Sequence, residues 1–144
     1  GGLVTYGDVL TTLPFCNTVA TMGLRGADVL AALENGLSQG ADTAGRFPQV
    51  AGIRFAWDPS APPGSRVRTA EVAQGSGFVP LDPGRVYRVA TNDFMRRGGD
   101  GYAMFRDRAL DPYDGGVLIE EAVAEAIAAG RAASSGLDGR ILAR

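Results

Sequence analysis

The sequence predicts an α+β domain in which a mixed or mainly antiparallel sheet is covered by two longer helices. Three observations lead there. Two segments, 26–38 and 117–129, carry apolar residues three and four apart, the spacing of a helix face. Several short β-rich runs are bracketed by Pro- and Gly-containing turns, as strands of an antiparallel sheet are. At 144 residues and 45% hydrophobic content, the chain suffices for one core and one domain spanning 1–144.

Taken in order, Thr5 followed by Asp8 reads as an N-cap with an acid in the first turn of a short helix that Pro14 stops. Leu13-Pro14-Phe15 is then an exposed turn. Val19 to Leu24 reads as a strand. In the helix from Gly26 to Ser38, Val29, Leu30, Leu33 and Leu37 share one face, and Gly36 and Gly40 loosen its end. Ala41 to Gly45 is a polar connector. Ile53 to Trp57 is a strand stopped by Asp58-Pro59, since proline has no donor for the ladder. Arg66 to Val72 returns as a second strand, Leu81-Asp82-Pro83-Gly84 turns, and Val86 to Ala90 alternates with period two. Tyr102 to Phe105 reads as a fifth, short strand, Asp111 to Gly115 as a loop, and Val117 to Ala129 as a helix with glutamates opposite its apolar face. The Ala-, Ser- and Gly-rich tail to Arg144 is expected to be loosely held.

A formal net charge of −2 implies no broad electropositive face for a nucleic acid polymer or an anionic membrane, so any bound anion must be held by a few local groups. The run from Gly115 to Gly130 is interrupted by three glutamates and falls short of the ~20 apolar residues of a membrane span. Cys16 is the only cysteine, so no internal disulfide can form. Histidine is absent altogether. Imidazole is the usual base or ligand of serine triads, zinc sites and dinuclear phosphoesterase centres, so a self-contained site of those kinds is not expected, while carboxylate-only sites stay open.

Six strings in order resemble the C-terminal domain of the 5′-nucleotidase family, which includes UDP-sugar hydrolases and 2′,3′-cyclic-nucleotide phosphodiesterases. They are G-x-V-T-Y-G-D-V from Gly2, L-P-F-C-N at Leu13–Asn17, L-R-G-A-D-V-L-A-A-L-E-N at Leu24–Asn35, G-R-F-P-Q-V-A-G-I at Gly45–Ile53, P-P-G-S-R-V at Pro62–Val67 and Y-R-V-A-T-N-D-F-M-R-R-G-G-D-G-Y at Tyr87–Tyr102. A lone G-G-D-G would say little, but six strings across about a hundred residues are specific.

The resemblance implies a domain that grips a nucleoside or nucleotide. Position by position, it makes Phe15 and Phe94 the aromatics that stack on the base, Asp100 the acceptor for the ribose hydroxyls, Asn17 a contact to the base rim and Gly52 a backbone approach to the base edge. The chemistry is coherent: a base has two flat apolar faces, and stacking on aromatic rings contributes about 1–3 kcal/mol per base without selecting its identity. An amide at the rim both donates and accepts, and an ionised carboxylate accepts strongly from hydroxyls. Plainer roles compete. Phenylalanine is by default a core residue, but Phe15 follows a proline in a turn and Phe94 ends a strand before a glycine loop. Asp100 and Asn17 suit turns, Gly52 suits packing, Arg96 and Arg97 read as solvated or as facing an acidic substrate, and Trp57 and Tyr102 as structural.

By the same resemblance, no cofactor is held on this segment, and two divalent metal ions, such as Zn or Mn, with an Asp-His pair belong to an N-terminal metallophosphoesterase domain that acts as its partner. The chain opens at Gly1-Gly2-Leu3 without Met, as an excised piece would, and by itself is expected to hydrolyse nothing. Family members are mostly exported, which implies a periplasmic or extracellular protein. The substrate stays open among 5′-nucleotides, UDP-sugars and 2′,3′-cyclic nucleotides, and a non-catalytic binding module is the alternative of another class.

Overall fold

The computed structural model describes residues 3–40, 44–131 and 137–144. Part of the expected 41–45 connector and the centre of the expected tail therefore lie outside the described residues.

Helix α1 (Tyr6–Thr12) begins as the sequence requires: Thr5 Oγ1 accepts from the Asp8 amide at 3.2 Å, and Asp8 Oδ2 accepts from the Thr5 amide at 2.8 Å, a reciprocal capping box. Hydrogen bonding to Thr5 holds the Asp8 carboxyl below its ordinary pKa. Strand β1 (Val19–Arg25) runs directly into α2 (Gly26–Leu37), and β2 (Ile53–Trp57) and β3 (Val67–Gln74) form the expected antiparallel pair. A further strand β4 (Gly77–Pro80) continues from β3, and β5 (Val86–Asn92) pairs antiparallel with β1 from Val19↔Asn92 to Arg25↔Val86.

The remaining elements depart from the sequence reading in three places. Tyr102 to Phe105 is not a strand: Tyr102 closes a 3-10 turn (Gly99–Gly101) and leads into helix α4 (Ala103–Asp107). Four apolar residues are too few to distinguish the two periods. The Asp111–Gly115 loop overlaps a strand, β6 (Leu110–Tyr113), on the free side of β1, with a bulge in the pairing. Pro112 is tolerated because this is a sheet edge. After α5 (Ile119–Ala128), the end of the chain is not loose either, because β7 (Ile141–Ala143) pairs in parallel with β2.

The α+β class therefore holds, but with two sheets, ordered β5-β1-β6 and β4-β3-β2-β7. Helix α2 lies between them and serves both. Val29 and Ala32 pack with Met22, Leu24, Tyr102 and Phe105 on the first sheet's side, whereas Leu33 and Leu37 pack with Phe55 and Trp57 on the second's. The other long helix, α5, packs against α1. Trp57 and Tyr102 are buried, at 4% and 2% exposure, in keeping with structural roles.

Gly36 does not loosen α2. It is buried, and a Cβ there would stand 2.7 Å from both Pro48 Cδ and the Tyr102 hydroxyl. Gly36→Ala is expected to lower stability by about 1–3 kcal/mol through overpacking, against the ~1 kcal/mol gain that alanine brings to an unconstrained helix. Thermal unfolding monitored by circular dichroism decides between them: a raised Tm would mean that Pro48 and Tyr102 yield at little cost.

Candidate functional site

The start of β1 and the end of β5 lie side by side, and the chain enters and leaves the region of interest there. The Thr18 amide donates to Asp93 Oδ1 at 3.0 Å, and the Asp93 amide donates to the Thr18 carbonyl at 3.0 Å. This pair brings the segment holding Phe15 and Asn17 beside the short helix α3 (Asp93–Arg96), which holds Phe94. Asn92 caps α3, its Oδ1 accepting from the Met95 amide.

Phe15 is 81% exposed and Phe94 49% exposed, so both rings are open to solvent, as are other large side chains such as Phe78 and Tyr113. The Phe94 ring lies against Gly99, where a Cβ would fall 2.6 Å from its Cδ1, so only glycine admits the ring in that position. Asp100 follows directly, exposed, with φ 53°, and its carbonyl accepts from Asn35 Nδ2 at 3.1 Å. Asn17 is half-buried, its carbonyl bonded to the Ile119 amide at the start of α5. Cys16, between Phe15 and Asn17, is also left-handed, at φ 51°.

Gly52 stands apart from the aromatics, at φ 74° just before β2, its carbonyl accepting from the Ala73 amide. It and Asp100 line a common cavity of about 1270 Å³ between the two sheets, walled by Leu33, Ile53, Val72 and Val89. Phe15, Asn17 and Phe94 are not part of that lining. The structure thus brings Gly52 and Asp100 to one cavity wall and the Phe94 ring to the glycine before Asp100, while Phe15 and Asn17 lie on the segment that Thr18 ties to Asp93.

The sequence reading missed several groups that hold these parts. Arg96 is not solvated: its side chain is 13% exposed and grips Asp114 through Nε and Nη2 at 2.8 and 3.2 Å. That fork holds the Asp114 carboxyl below its usual pKa and raises that of Arg96. No local spacing signals a partner eighteen residues away. Tyr102 donates its hydroxyl to the Arg46 carbonyl at 2.6 Å, tying the Asp100 loop to the segment leading to Gly52. Among the described residues, no group of three or more His, Cys, Asp or Glu side chains is placed to hold a metal ion. The two divalent ions of the resemblance thus find no ligand set among these residues.

A family profile described as "5′-nucleotidase, C-terminal domain" matches residues 1–107. The chain belongs to the 5′-nucleotidase C-terminal domain family. This C-terminal domain is 41% identical over 107 residues to the trifunctional nucleotide phosphoesterase protein YfkN of Bacillus subtilis, covering 74% of this chain and 7% of that one. Its fold superposes on a 5′-nucleotidase precursor from Thermus thermophilus with a TM-score of 0.91 at 43% identity, over 97% of this chain and 28% of the other. For the NAD nucleotidase of Haemophilus influenzae the TM-score is 0.81 at 28% identity, over 98% and 27%. The domain therefore spans under a third of each of these relatives.

Burial pushes the Tyr102 phenol up to about 12, with the nearby Asp100 charge adding to the shift. Because the folded value lies above the ordinary value of 10.0, the associated stability is complete below pH 10 and is lost as pH rises through 12. In an absorbance titration at alkaline pH, Tyr102→Phe is expected to remove the component ionising last; loss of an earlier component instead would mean that the phenol is solvated.

Proposed function

We propose that this domain binds the nucleoside part of a nucleotide in a 5′-nucleotidase-type phosphohydrolase and presents the phosphate ester to a dinuclear metal centre on a partner domain elsewhere in a longer protein. In this reading Phe15 and Phe94 stack on the base, Asn17 hydrogen-bonds its rim, Gly52 lets backbone approach its edge, and Asp100 accepts from the ribose hydroxyls. The observation that supports it is the pairing of Thr18 with Asp93, which joins the segment of Phe15 to the helix of Phe94, both rings exposed and the second lying against Gly99, next to Asp100.

Division of labour follows from the chemistry of the groups. The aromatic rings offer dispersion and stacking, which tolerate any base. The carboxylate of Asp100 offers directional acceptance to a vicinal diol, which favours a ribonucleoside. Neither group polarises a phosphorus centre, so hydrolysis in this reading needs the metal-bearing domain, and the isolated chain is inactive. The substrate beyond the nucleoside is not set by these residues, in line with relatives named for a trifunctional phosphoesterase and for an NAD nucleotidase. Export to the periplasm or cell exterior goes with the reading. Among the described residues, no helix is long and apolar enough to cross a membrane.

Calorimetric titration of the chain with adenosine, without added metal, tests the proposal. Saturable binding is expected, weakened about 5- to 150-fold by Phe94→Ala, the equivalent of ~1–3 kcal/mol, and also weakened by Asp100→Ala. Binding that both variants retain unchanged would sink the assignment of these residues.

A further inference from the structure

We propose that Arg96 and Asp114 are positioning residues that fix the gap between the Phe94 helix and the Phe15 lip, a role that rests on the nucleoside reading above. The two residues complete a closed circuit of contacts. Thr18 and Asp93 exchange two hydrogen bonds at 3.0 Å. One turn along α3, Arg96 forks onto the Asp114 carboxylate at 2.8 and 3.2 Å. Asp114 in turn accepts the Thr18 hydroxyl on its own carbonyl at 3.1 Å, which returns the circuit to its start. Phe94 lies within the circuit, and Phe15 lies three residues before Thr18.

The circuit supplies what α3 lacks by itself. A helix of four residues has no intrinsic stability, so its direction is set by what grips its two ends. Asn92 grips the first end. The second is held by Arg96, whose third nitrogen, Nη1, donates to the Phe105 carbonyl at 3.1 Å, so that one guanidinium joins α3, α4 and the residue after β6. Arg97, 65% exposed, adds only long contacts, 3.6 Å to Asp93 and 4.0 Å to Asp114.

Geometry matters here more than the energy of one ion pair. Exposed pairs contribute little to stability, but a sheltered bidentate fork fixes direction as well as distance. Stacking is sensitive to such fixing: a gap widened by about 0.5–1 Å forfeits a quarter to a half of the dispersion well. A ring on an unlatched α3 keeps its chemistry and loses its partner distance.

The test uses Asp114→Asn, Arg96→Ala and Arg96→Lys in the chain, with adenosine titration and residue-resolved amide exchange. Asp114→Asn and Arg96→Ala are expected to weaken adenosine at least about tenfold, with Arg96→Lys restoring part of the loss, since it keeps the charge without the fork. Amides from Phe94 to Arg97 and that of Thr18 should exchange faster together, while those of β2 and β3 keep their parent rates. Variants that bind like the parent, while Phe94→Ala does not, overturn the positioning role and leave the nucleoside reading standing. Exchange that rises uniformly through the fold also overturns it, in favour of a general stabilising role. A parent chain that fails to bind adenosine, or a Phe94→Ala variant that binds equally well, overturns both.

Discussion

Helix α2 has to satisfy two sheets at once, and the rest of the architecture follows from that. Its residues 29 and 32 belong to one apolar cluster and 33 and 37 to the other, so the helix acts as a wedge whose thickness sets how far the sheets stand apart. Polar contacts keep the wedge from sliding. The Glu34 carboxylate accepts from the Arg66 and Val67 amides at 3.0 and 2.7 Å, at the start of β3. Asp28, 6% exposed, pairs with Arg108 at 2.7 Å just beyond α4. Close to its C-terminal end, Gly36 lets Pro48 and Tyr102 come in against the helix backbone. The cavity between the sheets and the placement of the Asp100 loop are thus consequences of one helix packed on two sides.

Elements with a clear period were legible from sequence alone. The α2 pattern, the alternation in 86–90 and the Thr5–Asp8 cap each encode their structure within a few residues. What failed was either short or dependent on a partner. Strands of three or four residues, such as β4, β6 and β7, carry no period, and β6 and β7 exist because β1 and β2 leave an edge open beside them. The α2 pattern likewise showed an apolar face without revealing that it was broad enough to divide between two sheets. Periodicity identifies which side is buried; it does not identify against what.

The candidate site was legible in a different manner. Nothing in the composition marked Phe15, Asn17, Gly52, Phe94 or Asp100. Their order within six strings did, and the family profile spans all six. Arg96 and Asp114 escaped notice because an arginine pair after a strand reads as solvated, and its partner lies within a proline-containing segment expected to be a loop. Only the three-dimensional approach of β1, α3 and β6 reveals that Phe94 sits on a helix framed by Thr18, Arg96 and Asp114.

Cys16 and Asp100 share a feature whose consequence reaches beyond binding. Both are non-glycine residues in the left-handed backbone region, one between Phe15 and Asn17 and the other the proposed ribose acceptor itself. Such conformations cost of order 1–3 kcal/mol each when the side chain must be borne there. The fold therefore carries a standing internal load at the points where its lips are shaped, and replacement by glycine relieves that load at either position. Selection for heat tolerance alone would drift these two positions toward glycine, giving a hardier domain with looser lips. If these loops hold the nucleoside as proposed, the two residues are places where durability and recognition draw the same backbone in opposite directions.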